Sequence, residues 1–208
     1  MKATDIRKIR KAMEKTQDEK RYEHTLGVTY TATALAMRYG ASLENAELAG
    51  LLHDCAKCMD DNRKISICEK HHISMTELER RNPYLLHAKV GSFLAMDTYK
   101  VHNPDIINAI LNHTTGRPGM SLLEKIIFVA DYIEPHRKQA PSLAEIRKLA
   151  FEDLDEAMLR ILEDTLGYLD TSEAETDPMT MKTYTYYVAE KKEREQKKGN
   201  EQNGLKEF

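Results

Sequence analysis

Apolar residues recur at intervals of three and four along almost the whole chain, with few alternations of strand type, and this pattern predicts an all-α protein. A first helix is expected over about residues 4–15. A second runs from about Asp18 to Tyr39 and is closed by Gly40 as a C-terminal cap. Ser42 opens a third, whose end carries His53 and Asp54. The stretch 60–80 is polar and is expected to hold one short helix. Asn82-Pro83 then starts another, reaching about Lys100, and Asn103-Pro104 repeats the signal for 104–113. The turn TTGRPG breaks the chain before Ser121. Ser121 with Glu124, and Ser142 with Glu145, both fit the Ser-x-x-Glu capping box. Between them EKIIFVADYIEP is apolar around most of its circumference, which predicts a central buried helix ended by Pro135. Helices from 142 to about 168 complete the core. Residues 1–170 form the expected domain and 171–208 a charged C-terminal tail, in which MTMKTYTYYVAEKK is a further amphipathic helix and the rest is disordered.

Composition narrows the setting. The 208 residues suffice for one sizeable core, and 41% hydrophobic with 31% charged residues is too apolar for a disordered protein. No apolar run has membrane-spanning length, and MKATDIRKIRKAMEK lacks the continuous apolar segment of a signal peptide. A cytoplasmic protein with no membrane partner is therefore expected. Three cysteines, Cys55, Cys58 and Cys68, argue against a disulfide framework. The Cys55-x-x-Cys58 pair has no second pair to complete a zinc knuckle and reads as packing. A net charge of -3 without a basic stripe before the tail disfavours DNA, while leaving room for a small anion held by a few local cations.

The candidate chemistry lies in the placement of His and Asp residues within helices. His24 shares a face with Val28, Thr31 and Leu35. His87 stands with Val90, Gly91 and Leu94, and His113 follows Ile106 and Ile110. Asp131 lies one turn beyond Ile127 and Phe128 in the most apolar helix. Buried imidazoles and carboxylates need partners, and a shared metal centre satisfies all of them together. Four histidines and two aspartates suit a mono- or dinuclear site of Zn, Fe or Mn. A hydrogen-bonded polar network without metal fits the same periodicity, so spacing alone leaves both readings open. His71, His72 and His102 fall outside the pattern and read as surface residues.

In order along the chain, His24, His53-Asp54, His87, His113 and Asp131 resemble the HD superfamily of metal-dependent phosphohydrolases. The strings RYEHTLGV, HDCAK, NPYLLHAKVG, HTTGRPGM and LEKIIFVADYIEPHR narrow the resemblance to the bacterial YqeK-type branch, the symmetrical bis(5'-nucleosyl)-tetraphosphatases, over about residues 18–170. The resemblance implies an HD-domain helical bundle with a dinuclear, iron-containing centre in its core. It also implies cleavage of diadenosine tetraphosphate to two ADP by attack of a metal-bridging hydroxide on phosphorus. By position, His24, His53, Asp54 and Asp131 would hold one ion, and Asp54 would bridge to a second held by His87 and His113.

Other residues are candidates for catalysis or substrate contact. Lys57, one turn beyond His53, is placed to reach phosphate oxygens or the departing ADP, with a solvated lysine as the alternative. Arg117, with Thr114, Thr115 and Gly116, either binds the rest of the polyphosphate or forms a plain interhelical turn. His136 and Arg137 are candidate substrate contacts, and Tyr132 either stacks on a base or packs. Arg21, one turn before His24, is a phosphate ligand or an ion-pair partner. The competing functions are an HD-type phosphodiesterase or nucleotidase acting on another nucleotide, and a metal-stabilised regulatory binding module. A homodimer remains a candidate assembly.

Overall fold

The computed structural model describes residues 5–140, 142–171 and 177–204, and among these all regular structure is helical. α1 spans Ile6–Thr16 and α2 Glu19–Tyr39, capped by Asp18 at one end and by left-handed Gly40 at the other. α3 spans Leu43–Leu52, begins on Ser42 and delivers His53 at its C-cap. The polar stretch holds two helices rather than one: α4, Asp61–Lys70, and α5, Glu77–Arg81. The second starts from a Thr76/Glu79 capping box that the reading of this stretch as a single short helix overlooked.

Pro83 opens a single 3-10 turn to Leu86, and α6 proper runs His87–Asp97, shorter than expected at both ends. α7 covers Pro104–Asn112 and α8 Leu122–Ile133, whose Ser121/Glu124 capping box is formed as anticipated. The second anticipated box is absent. Ser142 lies at a φ of 51°, its side chain makes no capping bond to α9 (Leu143–Glu152), and its hydroxyl instead meets Arg160. α10 spans Leu154–Thr171. α11 spans Pro178–Gly204, so helix continues through residues expected to be disordered.

α8 is the axis of the molecule. Ile126, Ile127, Val129 and Ala130 are fully buried, and the helix packs against α2, α3, α7 and α10. Burial of such aliphatic side chains supplies about 1.5–3 kcal/mol each. A satellite core of Ala56, Cys68, Leu86 and Val90 seats α4 and the 83–86 turn beside the segment that follows Asp54. The result places the ends of α3 and α7, the start of α6, the second turn of α2 and the last turn of α8 around one polar interior.

Candidate metal centre

Four imidazoles and two carboxylates converge there. His53 Nδ1 lies 2.7 Å from Gly50 O, His87 Nδ1 2.8 Å from Tyr84 O and His113 Nδ1 2.7 Å from Ile110 O. Each carbonyl accepts the Nδ1 proton, which fixes the tautomer and leaves the Nε2 lone pair pointing inward. His24 Nδ1 donates instead to Glu134 Oε1, 3.1 Å away. Inward, His53 Nε2 is 3.4 Å from His24 Nε2, and His87 Nε2 is 3.3 Å from His113 Nε2.

Asp54 sits between the two pairs. Its Oδ2 is 3.5 Å from His53 Nε2 and 3.9 Å from His24 Nε2, and its Oδ1 is 3.5 Å from both His87 Nε2 and His113 Nε2. Asp131 Oδ1 completes the first side at 3.1 Å from His24 Nε2. Ligand atoms of His24, His53 and Asp131 all lie within 4.8 Å of one another, as do those of His53, Asp54 and His113.

These residues fit a divalent cation on chemical grounds. Asp54 Oδ1 is buried without a hydrogen-bond partner, and the facing His87 and His113 lone pairs have no proton between them, their nearest donors being Lys57 Nζ, 3.3 Å from His87 Nε2, and Thr114 Oγ1, 3.4 Å from His113 Nε2. A cation satisfies all three groups at once. Electrostatics point the same way. Burial pushes the Asp54 carboxyl up, but the His53 and His113 imidazoles outweigh it and hold Asp54 well below the usual carboxylate range. Burial opposes ionisation of Asp131 too, and its hydrogen bond to His24 prevails and keeps it low. Burial, then the neighbouring His113 and Lys57, push His87 down to about 3, which preserves the neutral, ligating imidazole. His24 is raised despite its burial because Asp131 and Glu134 stabilise its cation.

Glu134 is the site residue that the sequence reading missed. It is 2% exposed and lies against α2 because Gly27, one turn after His24, has no side chain: a Cβ there would collide with Glu134 Oε2. Its carboxylate also accepts from the His136 backbone N at 2.7 Å. A signal was present, since Glu134 follows Asp131 by three residues, but it reads as an ordinary helix-end residue before Pro135. Gln17, whose Nε2 donates to Asp54 O at 3.2 Å, was equally invisible.

The remaining candidates divide. Arg21 Nη1 donates to Asp54 Oδ2 at 2.7 Å, Arg137 Nη2 to Asp131 Oδ1 at 3.1 Å, and Lys57 Nζ lies 3.3 Å from His87 Nε2. Thr114 Oγ1 is 3.4 Å from His113 Nε2, and the half-exposed His136 ring meets Glu134. The turn beyond them faces elsewhere. Arg117 gives a two-pronged bond to buried Glu124, at 2.7 Å for each nitrogen, Thr115 bonds Gly116 O, and Gly116 abuts Thr183. Arg117 is thus spent on a carboxylate of α8, the plain-turn alternative. Tyr132 packs against the core, where burial, then Asp164, push its hydroxyl up to about 12.

Lys20, Arg21, Arg137 and Lys138, against the two carboxylates Glu23 and Glu134 and beside His24, His136 and Gln139, line a groove of about 660 Å³ at the mouth of the cluster, where cations outnumber anions. Cys55 is half-buried, its Sγ against Gly91 O, and desolvation, then Asp54, push its thiol up to about 12, so it is no thiolate ligand. Cys58 is exposed and free. His71, His72 and His102 are exposed.

Adjacent His-Asp at a helix end, further histidines from other helices and an aspartate on the central helix define a metallohydrolase-type helical bundle. The HD domain profile matches residues 21–136, and the chain belongs to the HD-domain family. It is 42% identical, over 82% of its own length and 91% of the relative's, to the symmetrical bis(5'-nucleosyl)-tetraphosphatase of Bacillus subtilis (strain 168). It is 41% identical to the protein of the same name from Halalkalibacterium halodurans, over 84% of this chain and 92% of that one. The solved structure of a "predicted HD superfamily hydrolase involved in NAD metabolism" from Clostridium acetobutylicum superposes with a TM-score of 0.85 at 40% identity, covering 88% of this chain and 96% of that one. Among the described residues no helix is long and apolar enough to cross a membrane.

Proposed function

We propose that this chain is a symmetrical dinucleoside tetraphosphatase that hydrolyses diadenosine tetraphosphate to two ADP at a dinuclear centre. The observation that carries the reading is the union of a two-sided His/Asp cluster with a cation-lined groove at its mouth. The family relatives' names supply the substrate class. His24, His53, Asp131 and Asp54 Oδ2 would hold one ion, and His87, His113 and Asp54 Oδ1 the other, iron being the expected metal. When bound, such a pair lowers the pKa of water towards neutrality and neutralises charge on the attacked phosphoryl group.

The chain's own residues do the rest. Asp54 holds the two sides in register through its two oxygens. Arg21 and Arg137 each use part of a guanidinium on a cluster carboxylate and turn remaining N–H groups to the groove, where they orient the polyphosphate. Lys20, His136 and Lys138 extend that cationic surface for the second nucleoside diphosphate. Burial pushes the Lys57 ammonium down, and its place beside His87 lets it bind an oxygen of the departing ADP. Arg117 and Tyr132 have no part in this scheme.

The test is chromatography of the products after anaerobically purified, iron-loaded protein is given diadenosine tetraphosphate, with Asp54→Ala as control. ADP alone, absent with the variant, is expected. ATP with AMP overturns symmetrical cleavage. No turnover of this substrate, with hydrolysis of another nucleotide, moves the assignment to the broader phosphohydrolase class.

A further inference from the structure

α11 lies wholly beyond the residues matched by the HD domain, yet it is bound to the turn that follows His113. The backbone N of Met120 donates to Tyr187 Oη at 2.7 Å, and Tyr187 is 1% exposed. The Lys125 ammonium sits 5.1 Å above the Tyr187 ring and pairs with Asp155 at 2.7 Å. Buried Thr183, one helical turn before Tyr187, presses on the same turn: a Cβ on Gly116 would stand 2.8 Å from its Cγ2. Two further ion pairs, Arg194 with Asp155 at 2.8 Å and Lys191 with Glu156 at 2.7 Å, pin α11 to the start of α10.

The turn itself has little stiffness of its own. Gly116 and Gly119 both take positive φ, 62° and 65°, and the segment carries no regular structure. It is held from two sides instead. On the α8 side, Glu124 gathers Arg117, Asn112 and the Ser121 backbone N. On the other side stand Tyr187 and Thr183. What is held is the exit from α7: Gly116 N bonds Asn112 O at 2.9 Å, and His113 and Thr114 lie between. The direction of the His113 Nε2 lone pair therefore depends on where this turn is fixed.

We propose that α11 is a strap, and that Tyr187, assisted by Thr183, is a positioning residue for the His87/His113 side of the centre. The proposal rests on the dinuclear part of the reading above and not on the identity of the substrate. A purely structural helix would change the melting temperature and leave ion retention alone. A positioning strap changes retention on one side selectively.

The experiment loads the full-length protein with Mn²⁺, dialyses it against graded EDTA and counts ions per chain by elemental analysis. It compares wild type, Tyr187→Phe, Tyr187→Ala and the control Tyr168→Ala, at an exposed tyrosine of α10. Tyr187→Phe, which removes only the Oη acceptor, is expected to release one of its ions at an EDTA concentration about tenfold lower than wild type and to keep the other. Exchange of the Met120 amide proton is expected to accelerate in the metal-free variant, and kcat to fall with KM little changed. If Tyr187→Ala fails to fold, Tyr187→Phe decides alone.

Retention in Tyr187→Phe equal to that in wild type and in Tyr168→Ala overturns the strap, as does a wild type that holds no more than one ion. A wild type that ignores diadenosine tetraphosphate while Tyr187→Phe sheds its ion leaves the strap standing and removes the substrate reading. Cleavage of that substrate with retention independent of Tyr187 does the reverse.

Discussion

The two sides of the cluster are built from the same ligand types but are compensated differently. On the His24/His53 side, Asp54 Oδ2 is met by Arg21, Asp131 by Arg137 and His24 by Glu134, and the side opens into the cationic groove. On the His87/His113 side both rings are nearly fully buried, both Nδ1 protons go to backbone carbonyls, and Asp54 Oδ1 has no protein partner. The first side can exist as a network of protein charges. The second is chemically incomplete without a cation, because buried Asp54 Oδ1 has no hydrogen-bond partner and the facing lone pairs have only the long contacts of Lys57 Nζ and Thr114 Oγ1, at 3.3 and 3.4 Å, beside them. The open side therefore orients substrate, and the closed side depends most on metal and on the helices that shape it.

The largest expected effect comes from breaking the link between the sides. Asp54→Ala should cut turnover by at least about 10³-fold, since it removes several kcal/mol of transition-state stabilisation. Its circular dichroism should stay helical. Unfolding would instead show that the cluster is structural. Next, Glu134→Ala leaves the His24 Nδ1 unheld and should weaken the ion on that side alone by about 10- to 100-fold, measured by competition with a chelator. An equal loss on both sides would dissolve the distinction.

A smaller effect is expected from Arg117→Ala. It leaves buried Glu124 short of its fork and should cost about 1–3 kcal/mol of stability, read by denaturant titration, with the KM for diadenosine tetraphosphate unchanged. Arg137→Ala should show the opposite balance, with a raised KM.

The smallest effect is that of pH on the metal-free protein, because the two sides oppose each other. His87 is held below its unfolded value near 6.5, at about 3, so its contribution is present above 6.5 and is lost as pH falls through that interval. His24 is raised, so its contribution is present below 6.5 and is lost as pH rises through the folded value. Between pH 7 and about pH 5 the wild-type melting temperature should therefore move little. His24→Gln should become less stable on acidification and His87→Gln more stable. Asp54 and Asp131, both held low, keep their contributions until pH falls below the unfolded carboxylate value near 3.8.

Much of this arrangement was legible in the chain because helices convert spacing into direction. His87 with Val90 and Gly91, and Asp131 with Ile127 and Phe128, announce polar groups aimed at a core, and the structure does bring those side chains together. Helix starts were equally legible where a side chain caps its own amides, as at Asp18, Ser42 and Ser121. What failed was anything settled by distant packing. Arg117 in a glycine-rich turn looks like an anion ligand until Glu124, already visible as a capping residue, is found to fill its fork. Ser142 has the letters of a capping box but a left-handed backbone. Glu134 matters only because α2 offers Gly27 opposite it. Within the charged tail the amphipathic helix over MTMKTYTYYVAEKK was legible, but not its extension to Gly204, and only the fold reveals that Tyr187 reaches the Met120 amide.

The central claim is that one buried carboxylate, Asp54, joins two metal positions of unlike surroundings. It is tested most directly by anomalous diffraction from crystals of the protein grown with Mn²⁺. Two peaks are predicted, one beside Asp54 Oδ2 among His24, His53 and Asp131 and one beside Oδ1 between His87 and His113, separated by about 3.5–4 Å. A single peak, or none within bonding distance of Oδ1, would contradict the account.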